Sequence, residues 1–325
     1  MKIIKLKPFI ADYMWGGHRL CDTYGLEPSQ IAAEAWVFSA HADGQSILAE
    51  GDDAGMPFGE WLKTQKDVFG KKAKIEPGFG APILCKFIDA ERSLSIQVHP
   101  DDAFARQHEN SPGKTEMWYI LDAAPGAYIY YGLKEDVTAD QLREGMSSGR
   151  ITEMLNKVYV KPGEAFFIEA GTVHAIGAGI LICEIQQSSN VTYRMYDFGR
   201  LGTDGKPRAL HIDKAAACTW LTASAGRSTI EELPCESGKA ELLAECGYFR
   251  SVKYTLQAGE TLRLCADEES FLSLIAVSGN GRIAAGEEAD EVGFGDSFFV
   301  PAGAGEVVLT TDSELGIIVS EAGRE

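Results

Sequence analysis

The chain has 325 residues, 45% hydrophobic and 24% charged, which is enough apolar material for about two cored domains. With 48 acids against 30 lysines and arginines, the formal charge of −18 and the pI of 4.8 exclude a broad nucleic-acid or anionic-membrane surface, so neither partner is expected. An anionic ligand would need a local nest of cations.

The start, MKIIKLKPFI, is basic and apolar, but Lys5 and Lys7 interrupt it and no small-residue cleavage site follows, which argues against a signal peptide. No run approaches the roughly 18 to 20 apolar residues of a membrane helix. The seven cysteines are odd in number, scattered and without a C-x-x-C, as expected of reduced thiols in a cytoplasm.

Short strands separated by 35 glycines and 12 prolines predict a mainly β protein. Helices are expected in MPFGEWLKTQKDVFG, in TADQLREGMSSGRITEMLNKV and near DKAAACTWL. In the second, Thr138 and Gln141 have capping-box spacing, Leu142, Met146, Ile151, Met154 and Leu155 form an apolar stripe, and Ser147-Ser148-Gly149 divides the segment in two. Lys86 stands in the apolar strand APILCKFIDA, where it either faces a site cavity or snorkels from a strand end. Next, in SIQVHPDD, Gln97 and His99 share one strand face while Ile96 and Val98 share the other. One face is oily and the other could coordinate something.

GEAFFIEAGTVH at 163–174 aligns without gaps to GDSFFVPAGAGE at 295–306, which implies two related β domains. Each copy reads turn, buried strand, turn. The pattern G-x5-P-x-G-x2-H resembles the second motif of the cupin superfamily, small jelly-roll barrels that often hold a metal. The first copy keeps Gly163, Gly171 and His174 with Glu169 in place of the proline; the second keeps Gly295, Pro301 and Gly303 with Glu306 in place of the histidine. The first cupin motif normally carries H-x-H and then a glutamate, and this chain offers Gln97, His99 and, later, Glu116 in GKTEMWYIL. Alone, Gln97 reads as an ordinary hydrogen-bonding side chain, Glu116 as a solvated acid and His99 as structural. Together with His174 they make a four-ligand N2O2 site that would act as a Lewis acid on one divalent cation.

The segments PFIADYMWGGHRL, AEAWVFSAHADGQS, ILCKFIDAERSLSIQVHPDD, PGKTEMWYIL, GTVHAIGAGILICEIQQSSNVTYRMYDFGR and RALHID resemble the type I phosphomannose isomerases in their shorter bacterial form. They span nearly all of the first 215 residues in that family's order, and Q-V-H-P, K-T-E and T-Y-R-x-Y-D occur together. The resemblance implies one zinc per chain, held by Gln97, His99, Glu116 and His174, and interconversion of mannose 6-phosphate and fructose 6-phosphate. Ser189-Asn190 departs from the pattern, falling where many relatives carry an acid.

The residues fit that chemistry, which moves a proton between adjacent carbons through an enediol. Lys86 and Glu184, the latter on the apolar strand ILICEIQQ, are acid/base candidates, with a salt-bridged structural acid as the plainer reading of Glu184. Lys114, two residues from Glu116, shares its cavity-facing side. Arg194 and Lys114 are candidates both for catalysis and for phosphate, Arg194 holding either phosphate or an enediolate oxygen, although an arginine among aromatics is more often a stacking residue. Two other readings stay open: a different cupin metalloenzyme, such as an iron oxygenase, and a non-catalytic sugar-phosphate-binding double cupin. The expected architecture is two cupin-type jelly-roll barrels with short helical insertions in the first. Residues 1–235 form the metal-binding domain and residues 236–325 a metal-free β domain, with STIEELPCESGK as a linker. Oligomeric state is not encoded in any motif.

Overall fold

A computed structural model describes residues 3–202, 205–224, 226 and 228–324. The chain is mainly β, with antiparallel pairing throughout its named strands. The strands layer face to face. A five-stranded sheet (Leu155–Tyr159, Tyr128–Leu133, His174–Ile176, Ile96–Val98, Tyr193–Tyr196) faces a six-stranded one ordered Ala165–Ile168, Glu116–Ala123, Ile180–Gln187, Ile83–Ala90, Glu34–Phe38, Phe9–Ala11. Between them Trp118, Ile120, Phe166, Ile168, Ile176 and Ile182 form the core of the first barrel.

The outer face of the five-stranded sheet packs on helices Ala139–Ser147 and Ile212–Cys218 through Leu142, Met146, Val173, Met195 and Ala215. Thr138 and Gln141 make the expected capping box, and the segment divides after Ser147, with Ile151–Met154 as the second helix. Leu142, Met146, Ile151 and Leu155 are buried as predicted, and Met154 is half-buried. Phe58–Thr64 supplies a helix in the first half of MPFGEWLKTQKDVFG only; the chain turns extended at Gln65 and the second half is not helical. Helix Asp102–Glu109 was not anticipated. Asp101 accepts a hydrogen bond from the Phe104 N–H at 2.8 Å, so the strand that ends at Pro100 turns straight into a capped helix.

The repeat is reproduced bond for bond. Strands Ala165–Ile168 and Ser297–Val300 occupy equivalent places, preceded by Gly163 and Gly295 at φ 91° and 90°, a conformation that costs a side-chain-bearing residue strain. The Gly163 N–H bonds the Ile120 carbonyl as Gly295 bonds Ala276, and Gly171 bonds the His99 carbonyl as Gly303 bonds Asp267. The paired phenylalanines divide between two cores in both copies. Phe166 and Phe298 enter their own barrels, whereas Phe167 and Phe299 face the shared apolar layer between barrels, beside Phe38, Phe58, Phe249 and Phe271.

Ile4–Lys7 pairs with Ser297–Val300, and Ile47–Leu48 with Ile4–Lys7, so N-terminal strands extend the sheet of the C-terminal half. Within the stretch read as a linker, Glu231–Leu233 is a strand paired to Lys239–Glu245. Its one apolar residue, Leu233, follows two acids and precedes Pro234, which hid the alternation. No helix among the described residues is long and apolar enough to cross a membrane. All seven cysteines are free.

Candidate metal centre and sugar-phosphate cavity

Gln97 and His174 are direct partners across adjacent strands, and Glu116 opens the strand that lies over them in the facing sheet. His99, Glu116 and His174 bring one ligand atom each within 4.8 Å of one another, all fully buried. Both imidazoles are oriented from behind. His99 Nδ1 lies 2.8 Å from the Val191 carbonyl and His174 Nδ1 2.8 Å from that of Thr172, so each Nδ1 carries its hydrogen and each Nε2 presents a lone pair inward. The two Nε2 atoms are 3.2 Å apart. Burial, reinforced by the Lys114 ammonium, pushes the His99 pKa well down, and burial takes His174 to about 4, so both are neutral at pH 7. Two lone pairs at that separation repel unless a positive centre lies between them.

Glu116 adds the negative charge. Its oxygens lie 3.5 Å from His99 Nε2 and 3.4 Å from His174 Nε2, and both are buried without a hydrogen-bond partner. Lys114 Nζ stands 2.8 Å from Oε2 and 3.3 Å from His99 Nε2, an ion contact without the directionality of a hydrogen bond to the carboxylate. Burial and the nearby Glu184 raise the Glu116 pKa to about 7 despite Lys114. Two inward lone pairs and a buried carboxylate share a single ammonium, and the set suits a divalent ion. Gln97 turns its amide toward His174 Nε2 at 3.4 Å, on the same side.

Beside the cluster, register aligns Trp36, Lys86, Glu184 and Trp118 in one row across four strands, so all four face the barrel interior. Lys86 is buried there, 4.3 Å over the Trp36 ring, 3.3 Å from Glu34 and 3.9 Å from Glu184, so it does not snorkel. Glu184 accepts from Trp118 Nε1 at 2.8 Å on one oxygen, and its other oxygen is buried without a hydrogen bond, 3.9 Å from both Lys86 and Lys114. Burial alone would raise its pKa; the two ammoniums overcome this and hold it ionised. Against its burial, pairing with Glu116 first, and then the charge of Glu184, raises Lys114 to about 12. The loop that carries Lys114 and Glu116 is pinned by Asp102, which accepts from the Gly113 N–H at 2.8 Å and from Gln187 Nε2 at 2.9 Å. Tyr248, from the second half of the chain, donates to the other Asp102 oxygen at 3.1 Å.

Lys86, Gln97, Lys114, Glu184 and Arg194 all line one cavity of about 300 Å³. Sequence reasoning left out Glu34, Trp36, Tyr13, Arg208 and His211, which line it or support its wall. Glu34 was legible by the rule that singled out Glu184, an acid in an apolar strand. Arg208 and His211 carried no such pattern, because they come from an irregular segment; the signal that could have found them was the family-like run RALHID.

The model of the phosphomannose isomerase type I catalytic domain matches residues 3–128. The chain is 38% identical over 304 residues to mannose-6-phosphate isomerase ManA of Bacillus subtilis, covering 93% of this chain and 94% of that one. It is 36% identical over 290 residues to the mannose-6-phosphate isomerase of Streptococcus mutans, covering 89% of each. The crystal structure of the mannose 6-phosphate isomerase from Bacillus subtilis superposes with a TM-score of 0.88 at 31% identity, covering 98% of this chain and 99% of that chain.

Proposed function

The chain belongs to the type I phosphomannose isomerases, and from that premise we propose that it works with one zinc ion, through an enediol, with Glu184 as the proton carrier. The observation that carries this reading is the conjunction of two inward Nε2 lone pairs facing a buried carboxylate with, beside them on the cavity that Gln97 and Lys114 line, an ionised glutamate whose second oxygen has no hydrogen bond. His99, His174 and Glu116 hold the ion, with Gln97 adding its amide oxygen when the amide is turned. When bound, zinc supplies Lewis-acid polarisation of the substrate carbonyl and stabilises the negative charge that develops on it.

This chain's own groups move the protons. Glu184 takes the proton from C2 of the open-chain aldose; the C–H electron pair becomes the C1–C2 double bond, and the carbonyl pair moves onto O1, which is protonated. The proton then returns from Glu184 to C1 as O2 gives up its own and the C2 carbonyl forms. Lys86, ammonium to Glu34 and Glu184, passes protons between the two oxygens, and Lys114 stays charged as an electrostatic support. Trp36 and Trp118 fix Lys86 and Glu184 by ring contact and hydrogen bond. The division of labour follows the repeat: residues 1–235 carry the chemistry, and 236–325 form a metal-free support. Seven free thiols and an acidic surface suit a cytoplasmic enzyme.

The test is a coupled assay with mannose 6-phosphate before and after chelation, with metal content and turnover in deuterated water measured on the same protein. One zinc per chain, chelator-sensitive turnover and deuterium on the transferred carbon are expected. Retention of all substrate hydrogen over many reversible turnovers would overturn the enediol route and leave the isomerase assignment standing.

A further inference from the structure

A chain of net charge −18 sets two arginines on one carboxylate with a third beside them, and two of the three, Arg194 and Arg208, line this cavity. Asp197 accepts from Arg208 Nε at 2.7 Å and from Arg208 Nη2 at 2.6 Å, an edge-on pair, and it also pairs with Arg200 Nη2. Arg200 is otherwise satisfied by backbone carbonyls, those of Asp197 and Ser93. Arg208 keeps Nη1 without a partner among the described residues, and it lines the cavity. Arg194 gives Nη1 to the Ala209 carbonyl at 3.1 Å, while its buried Nε has no partner. His211 Nδ1 accepts from the Arg194 N–H at 3.0 Å, which puts its ring hydrogen on Nε2. Burial, with the positive charges of Arg208 and Arg200, depresses the Arg194 pKa. Two guanidiniums on one carboxylate and a third nearby leave about two positive charges uncompensated, together with donors that want an anion.

Position gives that anion its identity. Register places His174, Gln97 and Arg194 side by side on three adjacent strands. At a strand spacing of about 4.8 Å, the Arg194 strand lies about 10 Å from that of His174, comparable to the span of an open-chain hexose from C1 to its phosphate. Lys114, the other cation proposed for phosphate, has its ammonium held against Glu116, His99 and Glu184 at the opposite end. We propose that Arg208, presented edge-on by Asp197, is the contact that selects the 6-phosphate of the substrate, with Arg194 as its neighbour in that contact and Asp197 and Arg200 as positioning residues. This rests on the orientation above, in which the reacting carbons lie at the Glu116 end.

The experiment compares the wild type with Arg208→Ala, Arg208→Lys and Asp197→Asn as zinc-loaded proteins, with mannose 6-phosphate, mannose and inorganic phosphate as probes. Loss of a charge-assisted phosphate contact predicts that Arg208→Ala raises KM for mannose 6-phosphate by about 30- to 300-fold, with a far smaller fall in kcat. Arg208→Lys recovers part of that loss, and Asp197→Asn raises KM by about 3- to 30-fold with metal content unchanged, because the guanidinium is present but unheld. Inorganic phosphate as a competitor weakens in parallel in Arg208→Ala, and kcat/KM for mannose stays as it was. Unchanged KM, equal losses for mannose and mannose 6-phosphate, or equal phosphate inhibition in wild type and Arg208→Ala each overturn the assignment. If Arg208→Ala does not fold, Arg208→Lys decides by the same ratios. Failure of the proton-transfer reading appears elsewhere, as undiminished kcat in Glu184→Gln with normal KM.

Discussion

The two barrels share strands, turns and even individual backbone hydrogen bonds, yet among the described residues only the first brings a His-Glu-His cluster together. Matching registers set Gln97 and His174 of the first against Cys265 and Glu306 of the second, which are likewise direct cross-strand partners. By the same pairing His99 corresponds to Asp267, and Glu116 to Leu272, each opposite the last residue of its repeat strand. The second barrel has no imidazole at any of the four places; Cys265 and Glu306 are exposed, and Glu306 pairs with Arg263. Its interior is filled instead by Leu262, Leu274, Ile283, Phe298 and Leu309. A filled apolar interior needs no charge desolvated, whereas a cavity wall that buries five charged side chains carries that desolvation cost. The shared layer of Phe38, Phe271 and Phe299 packs the two barrels against each other.

The largest expected effect tests the asymmetry directly. His99→Ala or His174→Ala should each lose bound metal and reduce kcat/KM by at least about 10³-fold, since one of few protein ligands is gone. Glu306→Ala, at the equivalent place, should change neither. Metal content by emission spectrometry with the coupled assay reads both, and a second tightly bound zinc that disappears with Glu306 would break the comparison.

The next effect separates the metal from the proton carrier within the first barrel. Glu184→Gln should keep its zinc and lower kcat by about 10²- to 10⁴-fold, and Lys86→Met should keep zinc with a smaller loss. Loss of metal in either variant would move that residue into the ligand set.

Equivalent phenylalanines sharpen the contrast between support and chemistry. Phe298→Ala and Phe166→Ala should each destabilise the protein by about 3–5 kcal/mol in denaturant titrations, as expected for emptied core sites. Only Phe166→Ala should also lower kcat per folded molecule, because Phe166 backs Trp118, the donor to Glu184. Equal kcat losses in both variants would show that the second barrel shapes the site and not merely its stability.

The smallest effect is one of pH and belongs to the first half alone. Burial would raise the Asp197 pKa, but hydrogen bonds from Arg208 and Arg200 hold it below its usual range. A depressed folded pKa stabilises above the unfolded value near ~4 and fades as pH falls through the folded one. Asp197→Asn should therefore lower Tm by about 2–4 °C near pH 7, with the gap to wild type closing as the pH drops below 4. A gap that widens in acid would contradict the ion-pair account.

Much of this was legible before any coordinates. Alternation put Gln97 and His99 on one face, the ungapped repeat announced two related barrels, and charged residues inside apolar strands marked Lys86 and Glu184, because burying a charge is costly enough to need a reason. Local signals also placed four helices, since caps and apolar stripes act within a few residues. What the sequence could not decide depends on register and long-range packing. Cross-strand pairing set Lys86 opposite Glu184 and Trp36, and Glu34 entered the site only through a neighbouring strand. Pairing with residues 297–300 drew the N-terminal strand into the C-terminal sheet, although the two lie at opposite ends of the chain. Arg208, Arg200 and Asp197 converge by the path of an irregular loop, for which no periodicity exists to be read. Contacts between distant residues are chosen by the sum of many burials and hydrogen bonds, and no single stretch of sequence contains that sum.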